Sequence, residues 1–398
     1  MKKSTLLSLA FAGYFLTSVD AKAQWQITNL PTIYDPGCIA VTGTTVIAGT
    51  RNNGVYVSTN NGTTWSRSNT GLSDTSVNCI VSGGSTVFVG TQGMYGTPGV
   101  YKSTNTAGTW SITAVPDSAV NCLAWDGNFL FSGIKNSGYY TLNQGFSWSR
   151  LSATYNPGNL TLGYAYSAAN VYVATGGSGV YLSTNFGSTF TPSNSGLTNL
   201  NILSIATNST TIFAGSAQGM YVSTNNAATW SLDTIGMGNQ QVSCIYVNSS
   251  TDVYAGTLGG GVYYSHNNGA TWTAINTGLT SLNVYNLAAD ATYLYAAQDY
   301  SGLWRRLLSN ITTGVNEVGV KSNFEMYPNP GSGLIALHES SGKPALLKIF
   351  DINGREVYAC PMNSGEATLN TQDWNNGIYL VRLFGESSVT QKKLIVSH

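Results

Sequence analysis

Charge is what this sequence has least of. Only 9% of its 398 residues are charged, and 17 cations balance 17 anions. Without a basic patch there is no electrostatic footprint for nucleic acid or an anionic membrane. From Gln24 to Asn316 there is no glutamate at all, and the same stretch holds one histidine, His266. One histidine cannot supply a Ser-His-Asp set or a histidine-rich metal cluster. Beyond residue 23 no run is long and apolar enough to span a bilayer as a helix. Strong helix formers are thin. Gly, Ser, Thr and Asn fill the polar positions, and 24 tyrosines and 9 tryptophans stand among β-branched residues. That balance predicts an all-β chain.

The first 23 residues read as a secretory leader. Lys2 and Lys3 precede a short apolar stretch, Leu6 to Leu16, and Ala21-Lys22-Ala23 has the form of a cleavage site. The mature chain is expected to begin at Gln24, outside the cytoplasm.

What the sequence has in abundance is self-similarity. Six octapeptides recur: "STNNGTTW" (58–65), "STNTAGTW" (103–110), "TLNQGFSW" (141–148), "STNFGSTF" (183–190), "STNNAATW" (223–230) and "SHNNGATW" (265–272). Their starts lie 45, 38, 42, 40 and 42 residues apart. A strand ending like "AGT" precedes each, and a seventh, "LYAAQ" (294–298), has no octapeptide after it. Each period reads as four short strands, the signature of a β-propeller blade. Seven such strands predict a seven-bladed β-propeller over 24–310. The last blade lacks a fourth strand, and "QWQITNL" (24–30) matches "TWSITAV" (109–115). The N-terminal segment is therefore expected to close the ring as the outer strand of blade seven, which removes an open sheet edge.

The S-x-N-x-G-x-T-W pattern and its spacing resemble the BNR or Asp-box repeat family. Its members are β-propellers, among them sialidases, xyloglucanases, sortilin-like receptors and photosystem assembly factors. The box itself reads as a structural turn. Its Ser or Thr is expected to bond turn backbone, its Asn to accept an N–H two residues on, and its aromatic to plug the hairpin. Every Asp of the family's box is Asn here, so no calcium or other metal site is expected.

The chemistry of the family's sialidases does not carry over. The resemblance would demand an arginine cluster and a Tyr/Glu pair. The propeller holds only Arg51, Arg67, Arg150, Arg305 and Arg306, with no glutamate. A two-aspartate glycoside hydrolase remains the alternative, drawing on Asp35, Asp74, Asp117, Asp126, Asp233, Asp252, Asp290 and Asp299. The favoured reading is a non-catalytic binding or adhesion propeller without a cofactor, and its ligand a glycan or a protein. A scaffold role, as in the photosystem relatives, is a third. Recognition is expected on the variable loops between strands two and three. They carry the candidates Arg51, Tyr95, Lys135, Asp299 and Tyr300; the competing reading of each is a solvated loop residue. Cys38, Cys79, Cys122 and Cys244 share one place in strand one and read as buried free thiols rather than interblade disulfides.

Composition shifts after Asn310, where all six glutamates lie. Residues 311–323 read as a linker, and alternating apolar residues with an Asn353-Gly354 turn predict a small antiparallel sandwich over 324–398. Tyr327-Pro328-Asn329-Pro330, "DINGREV" (351–357), "NNGIYLVRL" (375–383) and "KKLIV" (392–396) resemble the type A sorting domain of the type IX secretion system. The resemblance implies export across the outer membrane of a Bacteroidetes-type bacterium, to the medium or the cell surface. Its partners would be the secretion machinery and a sortase-like processing enzyme. Tyr327, Pro328, Asn329, Pro330, Gly354, Gly377, Lys392 and Lys393 would carry the signal.

Overall fold

A computed structural model describes residues 24–397 except 31–34, 114–117, 153–154, 156–159, 209, 234, 299, 313–323, 340–344, 352–354, 363–364 and 385–388. The expected leader and most of the expected linker lie outside the described residues. The chain divides into two compact units, one ending at Thr312 and the other beginning at Thr313. Ile311, placed by sequence at the start of the linker, is buried in the core of the last blade.

The first unit is a seven-bladed propeller of four-stranded antiparallel sheets. Blade two is typical: Val77–Gly83, Thr86–Thr91, Val100–Ser103 and Ser111–Ile112, in order from axis to rim. Each inner strand packs against the inner strand of the next blade. Val284–Ala289 of blade seven packs against Pro36–Thr42 of blade one, so the ring closes. The outer strand of blade seven is Gln26–Ile27, paired with Arg305 and Trp304 of Gly302–Leu307. Thr28 and Asn29 extend the seam. Thr28 N–H donates to the Leu303 carbonyl, and Asn29 binds the Gly62 and Thr63 carbonyls of the first octapeptide.

All six boxes share one hydrogen-bond pattern. The first hydroxyl donates to the Asn Oδ1 at 2.7–3.0 Å. That Oδ1 also accepts the backbone N–H four residues on, as from Thr64 to Asn60 at 2.9 Å, not two as the sequence implied. The N–H of the Asn itself points back to the hydroxyl oxygen of the first box residue at 3.3–3.5 Å. In five of the six boxes the N–H two residues past the Asn donates to that same oxygen, as from Gly62 to Ser58 at 2.8 Å. The Asn Nδ2 donates to the hydroxyl of the seventh box residue, where an aspartate would have to accept from that hydroxyl instead.

The aromatics do more than plug their own hairpins. The Trp110 and Trp230 indoles donate to the Ser68 and Ser193 carbonyls of the preceding blade, both at 2.8 Å. Trp148 reaches Thr113 Oγ1, and Trp25 reaches the Ile275 carbonyl at 2.6 Å. The other three box aromatics make no such bond: Trp65 bonds Gly62 in its own turn, the buried Trp272 indole N–H has no partner among the described residues, and Phe190 has no donor. Three of the six boxes therefore suture one blade to the next through the indole.

The glycine of "AGT" has a packing cause. It pairs across the sheet with the strand-one cysteine: Cys38 with Gly49, Cys79 with Gly90, Cys122 with Gly133, Cys244 with Gly256. A Cβ at Gly133 would lie 2.4 Å from Cys122 Sγ and 2.7 Å from Thr161 of the next blade. In blade four the sizes are exchanged, and Gly163 faces Ala174. All five cysteines are free thiols. Burial pushes Cys38 and Cys244 up to about 12 and Cys79 and Cys122 well above the ordinary thiol value, so the propeller thiols stay protonated and unreactive.

The second unit packs a three-stranded sheet (Phe324–Tyr327, Leu334–Glu339, Glu366–Asn370) and a four-stranded sheet (Ala345–Phe350, Glu356–Met362, Gly377–Phe384, Val389–Val396) around one core. Phe324, Ile335, Leu347, Ile349, Leu369, Val381 and Leu394 are fully buried there.

Candidate functional site

The turns between strands two and three are locked from below. In blade one the Thr50 hydroxyl donates to the Gly54 carbonyl and accepts Asn53 N–H, which closes the turn that carries Arg51. Asn69 then accepts Val55 N–H at 2.8 Å and donates to the Asn53 carbonyl at 2.9 Å. Asn194 and Asn276 repeat this in blades four and six. Sequence reasoning missed these three residues. The signal was present as "NTGL" (69–72), "NSGL" (194–197) and "NTGL" (276–279).

Arg51 lines a pocket of about 320 Å³ with Ser76, Val77, Asn78, Gln92 and Met94. Its guanidinium lies over Tyr285 of blade seven, 4.5 Å from the ring centroid, and its Nη1 stands 3.5 Å from the buried carboxylate of Asp35. Gly37 leaves room for this arrangement, since a Cβ there would sit 3.4 Å from Arg51 Nε.

Behind the lining residue Ser76 lies Asp74, which is fully buried and accepts the Ser76 hydroxyl. Its carboxylate accepts N–H groups from Ser76, Gly93 and Tyr95 and the Ser76 hydroxyl. Burial alone would raise this carboxyl. The donors, Gly93 foremost, outweigh burial and hold it below the ordinary aspartate value. A depressed folded-state value means that the stabilisation is fully present above the unfolded aspartate value, near 3.9, and is lost as pH falls through the lower folded value. Hydrogen exchange at the Gly93 and Tyr95 amides should therefore accelerate only in that acid range. In Asp74→Ala the same amides should exchange fast at neutral pH, with a loss of about 1–3 kcal/mol of local stability from unpaired donors. Unchanged protection in that variant would mean that the loop is held by something else.

Tyr95 is 57% exposed beside Met94, on this pinned loop. Lys135 is exposed and its backbone bridges to Leu160, and it does not line the pocket. Tyr300 is 72% exposed at a turn tip with φ of 43° and also stands outside the pocket lining. Asp299 lies outside the described residues. Asp35, Asp74, Ser76, Asn78, Gln92, Met94 and Tyr285 join the site only through the fold, because blades one, two and seven meet there.

The other described aspartates of the propeller serve local structure. Asp126 and Asp290 cap their own turns, and Asp233 accepts Ile235 N–H. Asp252 accepts the Tyr264 hydroxyl and contacts His266 Nδ1 at 2.6 Å. Among the described residues no three His, Cys, Asp or Glu side chains gather as a metal site, and no helix is long and apolar enough to cross a membrane.

In the second unit the two ends of the expected signal region meet. Asn329 donates to the Lys393 carbonyl at 2.8 Å and accepts Ile395 N–H at 2.9 Å. Gly331 exchanges backbone bonds with Ile395 and Ser397. Tyr327, Pro328, Pro330, Gly377 and Lys393 are exposed, while the Lys392 amine lies 5.5 Å from the Phe324 ring centroid. Gly354 lies outside the described residues.

Comparison with known proteins agrees with this architecture. Residues 56–67 and 263–274 match the BNR/Asp-box repeat model, and residues 325–397 match the secretion system C-terminal sorting domain. No curated protein matches the chain. Among solved structures it is similar to PorZ, a bacterial surface component of the type-IX secretion system of Porphyromonas gingivalis, with 16% identity and a TM-score of 0.54. That likeness covers 92% of this chain and 60% of PorZ, so the chain spans under two thirds of PorZ's length. YCF48 bound to D1 peptide is similar at 14% identity and TM-score 0.59, over 71% of this chain and 94% of that one. An ancestral GH74 enzyme is similar at 15% identity and TM-score 0.57, over 93% and 63%. At these identities the likeness shows the fold alone. The chain carries BNR/Asp-box repeats on a propeller, followed by a secretion system sorting domain.

Proposed function

We propose that this chain of BNR/Asp-box repeats and a sorting domain is a non-catalytic binding or adhesion protein. In this reading the type IX machinery exports it to the surface of a Bacteroidetes-type bacterium or into the medium. The leader at 1–23 takes it out of the cytoplasm. The sorting domain, with Tyr327–Pro330, Gly354, Gly377, Lys392 and Lys393 as its signal, is read by the secretion machinery and a sortase-like enzyme. The propeller meets the ligand, a glycan or a protein, with Arg51, Tyr95, Lys135, Asp299 and Tyr300 as the candidate contacts.

One observation carries the binding reading. The Arg51 pocket and the Met94–Tyr95 loop beside it are held rigid by the buried Asp74 and by Asn69, while Met94 and Tyr95 themselves face solvent. Fixed, half-apolar loop residues on a rigid scaffold suit recognition. The described aspartates, by contrast, are engaged in turns or with Arg51, which disfavours a two-carboxylate mechanism. The test is the purified chain on glycan and protein arrays, run beside a polysaccharide hydrolysis screen. Saturable binding that weakens in Arg51→Ala and Tyr95→Ala, without turnover, is the expected result. Turnover that vanished on replacing Asp35 and Asp74 would overturn it.

A further inference from the structure

The charges around the Arg51 pocket restrict what it can hold. Its one cation is already faced by Asp35, whose side chain is only 4% exposed. A second buried carboxylate, Asp74, sits directly behind the lining residue Ser76. One positive and two negative groups leave the site with an excess of negative charge, so an acidic ligand entering it meets net repulsion. The pairing is also loose. At 3.5 Å a single Nη1 contact uses little of the five-donor fork of a guanidinium.

The remaining polar groups are mixed in sense. Asn78 spends its Nδ2 on the Val120 and Asn121 carbonyls, which leaves its carbonyl oxygen as an acceptor. Gln92 is exposed and offers an amide with both a donor and an acceptor. Arg51 donates only. A hydroxyl matches such a set, because it can give and take a hydrogen bond, whereas a carboxylate can only accept. Met94 at 63% exposure and Tyr95 at 57% add an apolar surface at the rim, suited to the C–H face of a sugar ring. The volume, about 320 Å³, is at the small end for ligand sites, which span roughly 300–1,000 Å³.

We propose that this pocket takes the uncharged, hydroxyl-rich end of a glycan, with Arg51 as donor and Asp35 as the residue that turns acidic sugars away. The inference rests on the binding reading above and adds a ligand class to it.

The experiment compares neutral oligosaccharides with counterparts ending in a uronic or sialic acid, on one array, together with a panel of proteins. Full-length wild type, Arg51→Ala, Gln92→Ala and Asp35→Asn are each applied, with the unfolding midpoint measured in parallel. Wild type should retain neutral glycans and bind the acidic ones at least about tenfold more weakly, a difference of about 1.4 kcal/mol. Arg51→Ala and Gln92→Ala should both lower neutral binding. Gln92 is exposed, so its variant is a test that does not depend on folding. Asp35→Asn, which frees the guanidinium charge, should gain acidic glycans. A wild type that prefers acidic glycans, or binding confined to the proteins, overturns the ligand class and leaves the binding reading standing. Binding to nothing on the array defeats that earlier reading as well.

Discussion

Replacing Trp25 by alanine is expected to open the ring. The side chain is 3% exposed and packs with Tyr254, Val262, Ile275 and Trp304. Its indole donates to the Ile275 carbonyl and its backbone N–H to that of Thr277, both in blade six. The strand it precedes pairs with blade seven through only two residues, Gln26 and Ile27. So short a strand cannot hold itself in place, and the tryptophan anchors it. Removing a buried ring of this size costs about 3–5 kcal/mol. Losing the strand as well would expose the edge of Gly302–Leu307 to pairing with another chain. Urea unfolding should show the lower midpoint, and light scattering should show oligomers that grow with concentration. Trp65→Ala is the control, since Trp65 is half-buried and bonds its own turn. It should lose less than Trp25→Ala and stay monomeric. Equal losses in the two variants would mean that the seam is held elsewhere.

The second large effect belongs to Gly133→Ala in blade three. The new Cβ would fall 2.4 Å from Cys122 Sγ and 2.7 Å from Thr161 Cγ2, both in the packed interface with blade four. Overpacking of this kind costs about 1–3 kcal/mol. Blade four shows the compensating arrangement, with the glycine moved to strand one at Gly163 and alanine opposite at Ala174. The double variant Cys122→Gly, Gly133→Ala copies it. Its loss, read from the unfolding midpoint, should fall short of the summed single losses, with a coupling of about 0.5–3 kcal/mol. Recovery should be incomplete, because Thr161 remains close. Strict additivity would show that the cysteine and the glycine do not compete for one space.

The fold was legible in the sequence because a propeller blade is a local object. Four short strands, a turn at each end and a box between the last two all lie within one period of about 42 residues, so their pattern repeats in the letters. The missing seventh octapeptide located the seam for the same reason. The free thiols also followed from the repeat, since four cysteines at one position of four blades point to four equivalent places rather than to two pairs. The direction of the box bonds was not legible. A side chain's partner two or four residues on is decided by turn geometry that several sequences satisfy equally.

The sequence by itself determined the seven-bladed ring, the strand that closes it and the presence of a sorting domain, because each is written as periodicity or as a contiguous motif. Only the tertiary structure decided that three box tryptophans, Trp110, Trp148 and Trp230, join neighbouring blades, that the glycine of "AGT" seats a cysteine in four blades, and that Arg51 shares a pocket with Ser76 and Gln92 beside Asp35 and Tyr285. Those partners come from blades one, two and seven, which are far apart in the chain. Closing the ring brings them within a few ångströms of one another, and no local pattern records a contact that closure alone creates.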